Sequence, residues 1–110
     1  MSILELRKKL EIYTTNEGKE PFVSWLESLD KSIRYRVKER LDRVALGNLG
    51  DCKYIADGVS ELRLSFGSGY RVYYSEIGDT IVLLLCGGNK STQSQDIKKA
   101  VRYLKDYLVR

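Results

Sequence analysis

The sequence predicts an α+β domain, and three observations carry the prediction. Ile81 to Cys86 is a continuous apolar run, too short for a helix and rich in branched residues, so it reads as a strand covered on both faces. Glu61–Phe66 and Tyr70–Ser75 alternate apolar and polar residues, as half-buried strands do. Two longer segments, ending near Gly47 and Leu108, repeat their apolar residues at helical spacing. The expected order is an N-terminal strand, a helix hairpin, a three-stranded antiparallel meander and a C-terminal helix. One mixed or antiparallel sheet results, with the helices packed on one of its faces.

Each element follows from local chemistry. Leu10, Ile12 and Thr14 alternate with Glu11 and Tyr13, which predicts a first strand over about Lys8–Thr15. Pro21 suits the first position of a helix, where its missing N–H costs nothing; Phe22, Trp25, Leu26 and Leu29 then form one face. Trp25 is expected in the core rather than as a stacking platform for a base. Asp30 or Ser32 can cap a second helix with Ile33, Val37, Leu41 and Val44 inward and Gly47 at its end. Lys53–Ile55 is a short strand in a loop, and Gly67-Ser68-Gly69 turns one meander strand into the next. Gly78-Asp79 makes the second turn, and Gly87-Gly88 is expected to break the apolar strand. Thr92 and Gln95 fit a capping box for the last helix, which buries Ile97, Ala100, Val101, Leu104 and Leu108.

At 110 residues the chain is expected to form a single domain, 1–110, around one core. It has no apolar run of transmembrane length and no signal-peptide succession, so a cytoplasmic protein is expected. Two cysteines and no histidine argue against a structural zinc site, and no metal or cofactor is expected. Cys86 reads as a buried thiol.

The net charge is +4, and its distribution matters more than its size. Lys31–Arg43 holds six basic and two acidic residues, and Lys98–Arg110 five and one, so these helices carry a general positive field. Lys31, Arg34, Lys38, Arg43, Lys98, Lys99 and Arg102 are therefore candidates for contacting a polyanion or an acidic partner. Between Leu46 and Ile97 the basic residues are Lys53, Arg63, Arg71 and Lys90, set among six acids, and these need a separate explanation.

Strand, glycine pair, lysine and helix N-terminus are the parts of an anion site. The phosphate-loop pattern GxxxxGK[ST] nevertheless fails, because its glycines would fall at Leu84 and Asn89. If the leucines and Phe66 pack under the helices, Arg63, Arg71 and Tyr73 emerge together on the opposite, open face. Arg63 is expected about two residues from the position opposite Arg71, within diagonal reach, with Lys90 leaving the next strand. Three converging cations call for an anion, and arginine's planar fork suits phosphate. The competing reading is an ordinary salt bridge from Arg63 to Glu61 or Glu76.

The segments EPFVSWLESLD, ALGNLGDCK, GVSELRLSFGSGYRVYY and LLLCGGNKSTQSQDIKKA resemble the HigB-like addiction module killer proteins of the RelE/ParE toxin superfamily. The resemblance runs from about Glu11 to Leu108. It implies a RelE-like fold and a toxin of a type II toxin–antitoxin pair, many of which cleave messenger RNA in the ribosomal A site. The ParE branch instead inhibits DNA gyrase by binding it. The resemblance further implies a cognate antitoxin, expected as a helix-turn-helix protein from a neighbouring gene, and phosphate-contacting roles for Arg63 and Arg71. Lys90 and Lys53 match further basic positions. The sequence departs from the ribosome-dependent nucleases in lacking histidine, and no tyrosine near the C-terminal end falls at a matching position. The general acid and base thus stay open among Lys90, Tyr73 and Asp96; Lys90 is a candidate base because the two arginines discourage its charge.

Overall fold

The computed structural model describes residues 7–110. Its elements are β1 (Lys9–Ile12), α1 (Pro21–Glu27), α2 (Lys31–Ala45), β2 (Cys52–Ala56), β3 (Val59–Arg63), β4 (Arg71–Ile77), β5 (Ile81–Gly88) and α3 (Gln93–Leu108). They build one sheet in the order β1-β5-β4-β3-β2, with β1 parallel to β5 and the other neighbours antiparallel. The expected α+β class, element order and mixed sheet are all present.

The layering differs from the expectation. The helices do not share one face: α1 and α2 cover one side of the sheet and α3 the other. The reason lies in β5. Val82 and Leu84 enter the core with Phe22, Val37, Leu41 and Val44, whereas Leu83 and Leu85 enter a second core with Ala100 and Leu104. A strand that is apolar at every position must be covered twice, and a single helical layer cannot do it.

Two turns also differ. Asp57-Gly58, both at positive φ (52° and 86°), closes a β2–β3 hairpin, so β2 joins the meander as a fourth strand. Aspartate and glycine tolerate that left-handed backbone, and the pair is a recognised hairpin signal. The β3–β4 connection is wider than three residues, since β3 ends at Arg63 and β4 begins at Arg71.

Gly87 and Gly88 do not break β5; they lie in it. They are glycine because both faces are crowded: a Cβ at Gly87 would fall 2.2 Å from the Trp25 ring, and one at Gly88 would fall 1.8 Å from Asp96 Oδ2. A register shift between Tyr73 and Tyr74 leaves Leu85 as an extra residue on β5. The bulge puts Leu85 and Cys86 both on the α3 side.

At the other end of α3 the tyrosines fasten it to the N-terminal strand. The Tyr13 hydroxyl donates to Asp106 Oδ2 at 2.6 Å, and its ring stacks on Tyr103 at 5.0 Å. The Tyr107 hydroxyl donates to Glu11 Oε1 at 3.2 Å. Among the described residues no helix is long and apolar enough to cross a membrane.

Candidate functional site

The β3–β4 register sets Arg63 directly opposite Arg71, closer than the diagonal placement the turn length suggests. Both side chains project on the α3 side, because their neighbours Leu62 and Val72 belong to the opposite core. Two like charges in direct cross-strand contact are destabilising unless something lies between them. Glu61 does. Its side chain is 0% exposed; Oε1 accepts from Arg63 Nε at 3.1 Å, and Oε2 lies 3.4 Å from Arg71 Nε. The Tyr73 hydroxyl and Gln93 Nε2 donate to Oε2 at 3.2 and 2.7 Å. Burial opposes ionisation of this carboxyl, but hydrogen bonds from Arg63 and Gln93, the charge of Arg71 and the Tyr73 hydroxyl outweigh it, and Glu61 is held below the usual carboxylate range.

One carboxylate does not neutralise what surrounds it. Arg71 Nη1 donates to the Gly69 carbonyl at 2.6 Å, while its Nε is buried with no hydrogen-bond partner among the described residues. Gly69, at φ +80°, lies against Arg71 and Lys90 together: a Cβ there would sit 3.1 Å from Arg71 Nη1 and 3.3 Å from Lys90 Cβ. Lys53 pairs with Glu61 across β2–β3, which puts it on the same face. Arg63 and Arg71 thus hold a single buried glutamate, with Lys90 beside Arg71 and Lys53 on the same face of the sheet. The competing salt bridge from Arg63 to Glu61 is present as part of this cluster rather than in place of it.

The face that carries these residues is not open. Tyr73 is 0% exposed, packed under α3, and its hydroxyl is committed to Glu61; burial, followed by the Glu61 charge and that hydrogen bond, pushes its pKa well above the ordinary tyrosine value. Asp96 is also buried, accepting from Thr92 Oγ1 at 2.5 Å, with its carboxylate against Gly88. The expected exposure of Tyr73 is corrected, because α3 lies on this side of the sheet.

The start of α3 is built differently from the expected Thr92–Gln95 box. Asn89 is the cap: its Oδ1 accepts from the Ser91 amide at 2.9 Å, and its own amide donates to Thr92 Oγ1 at 3.3 Å. A single 3-10 turn, Lys90–Thr92, follows and leaves Lys90 exposed. Cys86 is buried as expected; burial, with the nearby Asp96 charge, pushes its thiol up to about 12.

The helix cations divide between the faces. Lys98, Lys99 and Arg102 are exposed on α3, on the side of the cluster. Lys31, Lys38 and Arg43 are exposed and Arg34 half-buried on α2, across the sheet. Sequence reasoning missed Glu61 as the centre of the site, and Gln93 altogether. Glu61 was within reach, because period-2 alternation puts it on the face of Arg63; Gln93 has no local signal, since only the packing of α3 brings it there.

A structure of a double arginine mutant of the Escherichia coli toxin RelE in the free state superposes with a TM-score of 0.65, covering 87% of this chain and 96% of that one at 19% identity. The shared feature is the fold. An uncharacterized protein of Haemophilus influenzae is 49% identical over 81 residues, 72% of this chain and 81% of the relative. The model of the phage-derived Gp49-like proteins (DUF891) matches residues 24–105, a span that includes α2, the whole meander and nearly all of α3. The chain, RelE-like in fold, belongs to the phage-derived Gp49-like family.

Proposed function

We propose that this protein is the toxin of a type II toxin–antitoxin pair, acting in the cytoplasm as a metal-independent endoribonuclease that cleaves messenger RNA on the ribosome and so inhibits translation. The observation that carries the proposal is the pair Arg63–Arg71, directly opposed and tied to one buried glutamate. A surface that only binds a partner has no need to bring two arginines into direct opposition and then restrain them. A site that meets a phosphate does, since preorganised donors stabilise developing charge without rearranging. Arg63 and Arg71 share the one carboxylate of Glu61, and with Lys90 alongside the cluster is short of negative charge.

In this reading the RNA 2′-hydroxyl attacks the adjacent phosphorus and the 5′-oxygen leaves. Arg63 and Arg71 bind the nonbridging oxygens. Lys90, exposed beside Gly69, is the proton-transfer group at the reacting oxygens. Glu61, Tyr73 and Gln93 are positioning residues, and Asp96 fixes the turn that presents Lys90. Lys53, Lys98, Lys99 and Arg102 extend the positive surface along the same face, while Lys31, Arg34, Lys38 and Arg43 dock ribosomal RNA from α2. A cognate antitoxin, most simply a helix-turn-helix protein from a neighbouring gene, silences the toxin through the groove beside α1 and α2. The segments that resemble HigB-like killer proteins favour that branch.

The test is Arg71→Ala. Loss of one donor to the transition state costs roughly a hundredfold in rate. The variant is expected to remain folded, to relieve growth arrest on expression and to cleave messenger RNA on translating ribosomes about a hundred times more slowly. Wild-type cleavage by a folded Arg71→Ala protein overturns the assignment. Gyrase inhibition without RNA cleavage by the wild type would place it instead with the ParE-type toxins.

A further inference from the structure

A cleft of about 640 Å³ opens beside Arg63 where β3 leaves the sheet. Its walls bring Arg36, Arg40 and Arg43 from α2 together with Arg63, Ser65 and Phe66. It therefore adjoins the proposed site at Arg63, while Arg36, Arg40 and Phe66 have no part in the chemistry assigned there.

Three features mark it as more than a gap. The Arg36 guanidinium lies over the Phe66 ring, 4.1 Å from its centroid, so a flat cation is held on an aromatic base while its residue stays exposed. Arg40 is 91% buried, yet its hydrogen bond is to a neutral acceptor, the Leu49 carbonyl. No carboxylate pairs with it among the described residues. Burial and the neighbouring Arg43 both disfavour its charge and the nearby Asp51 offsets them only in part, so an anion in the cleft relieves the remaining cost. Finally, the walls also carry Glu39, Asp42 and Asp51, none of them in a salt bridge with these arginines. A bare polyanion would be repelled by those acids. A nucleotide would not, because its phosphate takes the arginines, its flat face stacks, and its edge donates N–H groups to the carboxylates.

We infer that this cleft binds the nucleotide flanking the scissile linkage, with its base stacked on the outer face of Arg36 and its backbone phosphate on Arg40. Single-stranded RNA is commonly read by stacking on arginine planes and aromatic rings. Carboxylates at the base edge accept best from guanine, whose N1–H and N2 amino group donate side by side, whereas uracil offers a single N3–H between two carbonyls. The cleft therefore disfavours uridine at this position. The inference rests on the ribonuclease reading for the identity of the substrate, so its test separates binding from cleavage.

The probe is a short fluorescein-labelled RNA in which every ribose is 2′-O-methylated, so that it cannot be cut, and its binding is read by fluorescence anisotropy. Versions carry guanosine, uridine or an abasic ribose at each position in turn. One position is expected to bind guanosine more tightly than uridine. At that position Arg36→Ala should weaken binding by roughly fivefold to a hundredfold, the usual range for loss of one stacked base. Arg36→Lys, which keeps charge but not the plane, should lose most of the same increment, and the abasic probe should bind wild type and both variants alike. Equal binding of every probe by wild type and Arg36→Ala, or full rescue by Arg36→Lys, overturns the inference even if the protein cleaves RNA. Loss of antitoxin affinity alone would make the cleft a protein-docking surface and also overturn it. Conversely, Arg36-dependent, base-selective binding by a protein that cleaves no RNA upholds the cleft and removes the ribonuclease reading.

Discussion

Replacing Glu61 by glutamine keeps the shape of the side chain and removes the one negative charge between Arg63 and Arg71. In the folded protein its two oxygens face only donors: Arg63 on one, Arg71, Tyr73 and Gln93 on the other. Whichever oxygen becomes the amide nitrogen then points a donor at a donor. Removing one partner of a buried ion pair typically costs about 3–5 kcal/mol. Arg63 retains 41% of its side-chain exposure and can turn to water, whereas Arg71 retains 15% and cannot do so freely. The expected cost is therefore smaller, roughly 2–3 kcal/mol, which lowers Tm by roughly 10 °C in a domain of this size. The pH dependence supplies the sign. Glu61 is held below its ordinary value of 4.5, so its contribution is fully present above that pH and is lost as the pH falls through the lower folded-state value. The gap in Tm between wild type and Glu61→Gln should thus be widest near neutrality and close on acidification. Thermal unfolding followed by circular dichroism from pH 7 downward measures it. A gap of less than about 2 °C at pH 7, or one that does not close in acid, would refute the reasoning.

Two further outcomes test the packing and the charged surface. Gly87→Ala sets a methyl 2.2 Å from the Trp25 ring and should destabilise the fold by about 1–3 kcal/mol; the sole tryptophan reports the displacement by its fluorescence, and unchanged emission with unchanged Tm would contradict the contact. Reversing Lys98, Lys99 and Arg102 together should weaken ribosome binding and flatten its dependence on salt concentration, because fewer counterions are released; an unchanged slope in a sedimentation assay would remove α3 from the interface.

The parts of the fold legible in the sequence are those where local chemistry decides. Pro21, the α2 periodicity and the β5 run each specify an element without help from the rest of the chain. The grouping of the candidate residues was legible to the same extent: alternation put Arg63, Arg71 and Tyr73 on one face, and the register unites them there. Their surroundings were not legible. Whether Tyr73 meets water or a helix depends on which side of the sheet α3 takes, and the amphipathic pattern of α3 fits either side. The continuous run in β5 already required two covered faces, and that requirement settles the side once α1 and α2 occupy the other. Gly87 and Gly88 illustrate the same limit. A glycine pair after a strand looks like a break, but Trp25 and Asp96, remote in sequence, are what exclude a side chain there.

In the proposed reaction the cluster around Glu61 directs an RNA 2′-hydroxyl onto its own phosphate. The chemistry of the cut ends tests it most directly. Messenger RNA cleaved by the purified protein on translating ribosomes should carry a 2′,3′-cyclic phosphate or 3′-phosphate on one fragment and a 5′-hydroxyl on the other, identified by mass spectrometry. A single 2′-deoxy substitution at the mapped site should abolish the cut there. Ends bearing 3′-hydroxyl and 5′-phosphate, or undiminished cleavage at the deoxy-substituted linkage, would contradict it.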